Sequence, residues 1–127
     1  MKEKYFRLFS GILPAALMIV SGCSKGNSAA PAPLSADKVP AVVNQTFNQS
    51  PDANKQLASG YASDFQNQDI VAAFNDLQKL RHQTDLTPEQ KTVLARAMMT
   101  TMTELRTAAT AGNPAAQKAM RQYMASR

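Results

Sequence analysis

Three times this chain places a capping side chain directly before a proline: Ser50-Pro51, Thr87-Pro88 and Asn113-Pro114. A serine, threonine or asparagine at an N-cap accepts a hydrogen bond from a first-turn N–H that has no partner inside the helix. Proline lacks that N–H and has its φ preset near the helical value, so it fits the first helical position. Each pair therefore starts a helix and ends whatever came before it. Pro40 suits the first turn of a helix in the same way. Such punctuation divides the chain into short helices joined by short turns.

The apolar spacing agrees with that division. Val39, Val42, Val43 and Phe47 make one stripe, on a helix over about Pro40–Asn48, with Asn44, Gln45 and Asn48 on its other face. Leu57, Tyr61 and Phe65 recur every four residues, with Ala58 and Ala62 beside them. They predict a helix with Ser50 as N-cap, Pro51 at its first position and Gln66 near its end. Gly60 in its middle costs about 1 kcal/mol relative to alanine; it reads as a point where a neighbour approaches closely. Ile70, Ala73, Phe74 and Leu77, with Leu80 or Arg81, form the next stripe, from Asp69 to about His82. Asp69 near its start and Lys79, Arg81 and His82 near its end suit the helix dipole.

Thr87 and Gln90 complete a capping box at the head of the longest helix, Pro88–Ala111. Leu94, Met98, Thr101, Leu105 and Ala108 repeat there at four, three, four and three, a heptad-like seam broadened by Ala97, Met102 and Ala109. Gly112 is a natural stop. A last helix runs from Pro114 to about Ser126, with Ala116, Ala119, Met120 and Tyr123 inward. No segment sustains a period of two, so no sheet is expected. The predicted fold is all-α, a small bundle of four to five short helices.

The bundle is expected over residues 37–127. Before it, Ser24–Ala36 is rich in serine, alanine, proline and glycine and carries little apolar bulk, so it reads as a linker. Its Ala-Pro-Ala-Pro run favours extended geometry at about 3.1 Å per residue, a reach of roughly 40 Å for the segment.

Residues 1–22 read differently again. Lys2, Lys4 and Arg7 against Glu3 make a basic start, and Ile12–Val20 is apolar. A helix of that length spans about 14 Å, against a bilayer core of roughly 30 Å. The segment therefore reads as an export signal and not as a membrane span. Val20-Ser21-Gly22-Cys23 closes it, with Gly22 and Cys23 flanking the expected cut.

Those four residues resemble the lipobox of bacterial lipoproteins at every position. The resemblance covers residues 1–24 only. It implies a diacylglycerol thioether on Cys23, cleavage before it and acylation of the new amine. A single acyl chain holds weakly and two or three hold stably, at about 0.8 kcal/mol per buried CH₂. Ser24 after the cysteine resembles the outer-membrane sorting class, so the outer membrane is favoured over the inner. The expected location is the periplasm-facing envelope, lipid-anchored, for a chain of 105 residues from Cys23 to Arg127.

Cys23 is the only cysteine, so once lipidated it leaves no thiol for a disulfide or a thiolate metal site. Charge is uneven: Ser24–Asp85 has five basic against six acidic residues, whereas Leu86–Arg127 has six against two. An export signal and the lack of a basic–aromatic array argue against nucleic acid as a partner. The expected partners are the membrane, through the anchor, and an envelope protein or a second copy of the chain on the Leu94–Ala108 seam.

Candidate chemistry is sparse. His82 is the only histidine and sits at a helix end, whereas hydrolytic zinc sites use several nitrogen or carboxylate ligands. The carboxylates Asp64, Asp69, Asp76, Asp85, Glu89 and Glu104 are spread along the chain, and nothing buries a pair for acid–base work. No enzyme activity and no cofactor are expected. Met98, Met99 and Met102 remain, with Met120 and Met124 further on. Thioethers fill irregular cores and adaptable docking faces. They also bind soft Cu(I). The expected function is a non-enzymatic helical binding or scaffolding module at the envelope; methionine-based copper handling is the other reading.

Overall fold

The computed structural model describes residues 31–127, and everything stated of the structure is stated of those residues. The expected export signal, Gly22, Cys23 and the first part of the expected linker lie outside them. Five helices follow one another: α1 (Val39–Thr46), α2 (Asp52–Gln66), α3 (Ile70–Arg81), α4 (Pro88–Thr110) and α5 (Pro114–Ala125). No strand occurs among the described residues.

Local chemistry sets most of the starts. Thr87 Oγ1 accepts from Gln90 N at 3.1 Å, while Gln90 Oε1 accepts from Thr87 N at 3.0 Å, so the expected capping box is complete. Asn113 Oδ1 accepts from Ala115 N and Ala116 N at the head of α5. Asp69 Oδ1 accepts from Ala72 N at the head of α3.

The start of α2 is a correction. Pro51, not Ser50, is its N-cap, with ψ of 151°, and no side chain caps it. Ser50 lies in the preceding turn, where its N–H donates to Phe47 O. Its hydroxyl accepts instead from Gln90 Nε2 at 2.8 Å. A contact across forty positions has taken the atom that a local cap would have used. The first helix is also shorter than its stripe suggested: it ends at Thr46, with Phe47 as C-cap.

Two helices end in the same way. After α2, Asp69 N donates to Asp64 O and Gln68 N to Phe65 O; after α4, Asn113 N donates to Ala108 O and Gly112 N to Ala109 O. These are paired 6→1 and 5→2 bonds that close on a left-handed residue. In α4 that residue is Gly112, φ 95°; in α2 it is Gln68, φ 62°.

α4 packs on α1, α3 and α5, and α2 packs on α1 and α3. The seam expected on α4 is buried inside the chain: Leu94, Met98, Thr101 and Leu105 are nearly or fully closed off from solvent. A second copy cannot use these side chains unless the bundle opens. Around them lie Val43 and Phe47, Tyr61, Leu77 and Leu80, and Ala116 and Ala119. Gly60 is where α2 and α3 meet closely: a Cβ there would sit 2.6 Å from Asp76 Oδ2.

One polar link crosses the core. Thr101 Oγ1 donates its only hydrogen to Ala97 O at 2.8 Å, so Tyr61 is the donor in the 2.9 Å contact between Tyr61 Oη and Thr101 Oγ1. Burial pushes the Tyr61 phenol up to about 12.

The end of the linker is strapped onto α4. Arg96 Nε donates to Ala32 O at 2.8 Å, Thr100 Oγ1 donates to Leu34 O, and Leu34 packs on the core.

Candidate functional site

Two open concavities stand out, and one of them lies beside that strap. The first was foreshadowed by the methionines. Met98, Met99 and Met102 line one groove of about 390 Å³, together with Pro33 of the strap, Arg106 and Tyr123. Helical spacing explains the grouping, since positions three and four apart share a face. The three are not equivalent: Met98 is 6% exposed and belongs to the core, whereas Met99 is 41% exposed. Met102 is half-buried between them.

Tyr123 forms the α5 wall of this groove. Its ring stands edge-on to Phe74, with centroids 5.6 Å apart and planes at 88°. The Arg127 guanidinium lies 5.5 Å from its centroid on a cation–π contact. Met124, one residue on, is the most exposed large apolar side chain among the described residues, at 60%. The groove is thus apolar at its floor, where the methionines lie, and basic at its rim, where Arg106 and Arg127 lie.

The second concavity, about 840 Å³, lies between the α1–α2 turn and the start of α4. Gln45, Asn48, Gln49, Asn54 and Gln90 line it, and Asp85, Glu89 and Arg96 bring charges of both signs. Sequence reading missed this cleft. The helical stripe places Asn44, Gln45 and Asn48 on an outer face, and no motif singles out Asn54. The density of uncharged amides over positions 44–54 was the legible signal; the opposite wall, forty residues later, was not.

The other singled-out residues are placed as follows. His82 is exposed at the C-cap of α3, its N–H donating to Gln78 O and Lys79 O. Asp64, Asp69 and Asp76 lie closer together than their spacing suggested. The Asp64 carboxyl is held above the usual range, first by burial and then by the Asp76 and Asp69 charges. Asp76 pairs with Lys79 at 3.1 Å. Among the described residues, no group of three histidine, cysteine or acidic side chains is arranged to hold a metal ion. No described helix is long and apolar enough to cross a membrane. No protein-family model matches the chain, and no curated protein or solved structure matches it.

Proposed function

We propose that this chain is a bacterial envelope lipoprotein, exported by residues 1–22 and anchored through Cys23. Its helical domain is a non-enzymatic binding or scaffolding module facing the periplasm, on the outer membrane. The observation that carries the module reading is the open groove at Met99, Met102 and Tyr123, apolar within and basic at its edge. Adaptable thioethers suit a protein surface that repacks around a partner. The strap at Ala32–Leu34 lies beside this groove, so a linker anchored through Cys23 would join the domain there.

The test is photo-cross-linking in living cells, with probes at Met99 and Tyr123 of the lipidated protein, followed by mass spectrometry. One dominant envelope protein, captured from both positions and lost from a probe at exposed Lys55, supports the module. Capture of nothing beyond the background of that control overturns it.

A second reading, Cu(I) handling, is supported by one observation: Met98, Met99 and Met102 line the same groove. Three thioethers are a soft donor set. Titration with Cu(I) under a competing chelator checks it. Micromolar or tighter binding that is lost in Met99→Leu supports it, and weaker binding overturns it.

A further inference from the structure

The amide-lined cleft between the α1–α2 turn and the head of α4 plays no part in the groove described above. Its volume, about 840 Å³, lies within the roughly 300–1,000 Å³ usual for ligand clefts. Its most informative member is Asn54, in the first turn of α2. Asn54 is 7% exposed, yet no described residue hydrogen-bonds to its side-chain carboxamide. No fully enclosed side-chain nitrogen or oxygen lacks a partner among the described residues, so the Asn54 amide opens to the cleft and is not sealed in the core. A carboxamide that opens to the cleft and has no protein partner is free to pair with a ligand.

The walls around it are fixed in advance. Both ends of the Gln90 amide are committed, Oε1 to Thr87 N and Nε2 to Ser50 Oγ. Ser50, itself 9% exposed, accepts there and keeps its own hydroxyl hydrogen to donate. Gln45 and Gln49 line the outer part. Asp85, Glu89 and Arg96 all line the cleft, so charges of both signs border it and neither a compact anion nor a bare cation finds a complementary field.

We propose that this cleft binds an extended peptide segment of a partner protein, with Asn54 holding its main chain. A carboxamide offers a donor and an acceptor side by side. A residue in an extended chain shows its N–H and C=O on the same edge, as in the hydrogen-bonded pairs of an antiparallel ladder. One asparagine therefore satisfies both groups of one peptide residue, and main-chain pairing of this kind gives affinity without a fixed sequence. A glycan would also use amides, but it gains much of its affinity by stacking on aromatic rings, and no aromatic side chain lines this cleft. The proposal rests on the binding-module reading and names the chemical class of its partner.

The experiment is an amide NMR titration of the ¹⁵N-labelled mature chain in detergent micelles. The probes are an uncharged alanine–serine pentapeptide blocked at both ends and, separately, an N-acetylglucosamine trimer. The expected result is a saturable shift of the Asn54 side-chain resonances with the peptide, half-complete below about 10 mM. Asn54→Ala, a helix-favouring change, weakens binding about tenfold as one paired amide is lost. Gln49→Ala, on the exposed rim, weakens it less and controls for folding. No saturable shift at Asn54 overturns the proposal. So does a larger shift of the same resonances with the trimer, which would assign the cleft to glycan. A silent cleft leaves cross-linking at Met99 unaffected, so failure here is distinguishable from failure of the module reading.

Discussion

Tyr61 and Thr101 share the one side-chain hydrogen bond that crosses the closed core, and its two ends are unequal. Tyr61→Phe removes a donor and leaves Thr101 bonded to Ala97 O. That change costs about 0.5–1.5 kcal/mol. Thr101→Val strands the phenol hydroxyl in the core and costs about 1–3 kcal/mol. Urea denaturation of both single variants and the double variant tests the asymmetry. The double variant is expected to be less destabilised than the sum of the two singles. Equal single effects that add would mean that the bond contributes nothing. Titration supplies an independent check. The phenol is held near 12 in the folded chain, against 10.0 unfolded, so the folded state keeps a proton that the unfolded state releases. Stability is therefore unaffected below about pH 10 and falls as pH rises toward 12, by on the order of 2–3 kcal/mol. Melting curves across that range should show the loss, and Tyr61→Phe should remove it.

At the scale of elements, the same turn is built twice with different residues in its left-handed position. Gly112 carries φ 95° at no steric cost, and no atom lies near where its Cβ would be. Gln68 carries φ 62° with a side chain. A left-handed residue other than glycine costs roughly 1–2 kcal/mol. Gln68→Gly is therefore expected to raise stability by about 1 kcal/mol, and Gly112→Ala to lower it by a similar amount, both read as shifts in denaturation midpoint. The two glycine-forming or glycine-removing changes having the same sign would contradict this assignment. At the head of α4, Thr87→Ala removes one half of the capping box and should cost about 1 kcal/mol.

The elements were legible where their determinants are local. Thr87 with Gln90, Asn113 with Pro114, and Asp69 each act within a few positions, and the structure puts those starts where the sequence does. Ser50 misled because its hydroxyl pairs with Gln90, forty positions away, in preference to its own helix. Burial of the α4 stripe was legible from its spacing, but which surface covers it was not. The spacing of Leu94, Met98, Thr101 and Leu105 fits an intermolecular seam as well as a core.

For the whole molecule, the strap decides where the domain begins. Composition placed the boundary after Ala36, yet Arg96 and Thr100 hold Ala32 O and Leu34 O from more than sixty positions away, and Leu34 packs on the core. Nothing in a proline- and alanine-rich run announces such partners, because they depend on the tertiary placement of α4. A chain starting at Asp37 should be less stable than one starting at Pro31 by about 1–3 kcal/mol, from lost Leu34 burial and two hydrogen bonds. Equal stability would mean that the strap is incidental. The same logic separates the two concavities. The methionine groove is legible because one helix supplies most of it. The amide cleft is assembled from two distant segments and emerges only when they fold together.

The proposed role requires that this domain work while held to a membrane through Cys23. The direct measurement is the intact mass of the protein extracted from the membranes of cells expressing the full chain. The account predicts a chain beginning at Cys23 and carrying a diacylglyceryl group, with further mass from an amide-linked acyl chain, and its release to the soluble fraction in Cys23→Ser. An unprocessed chain of 13.7 kDa, or one cut elsewhere with a free Cys23 thiol, would contradict it.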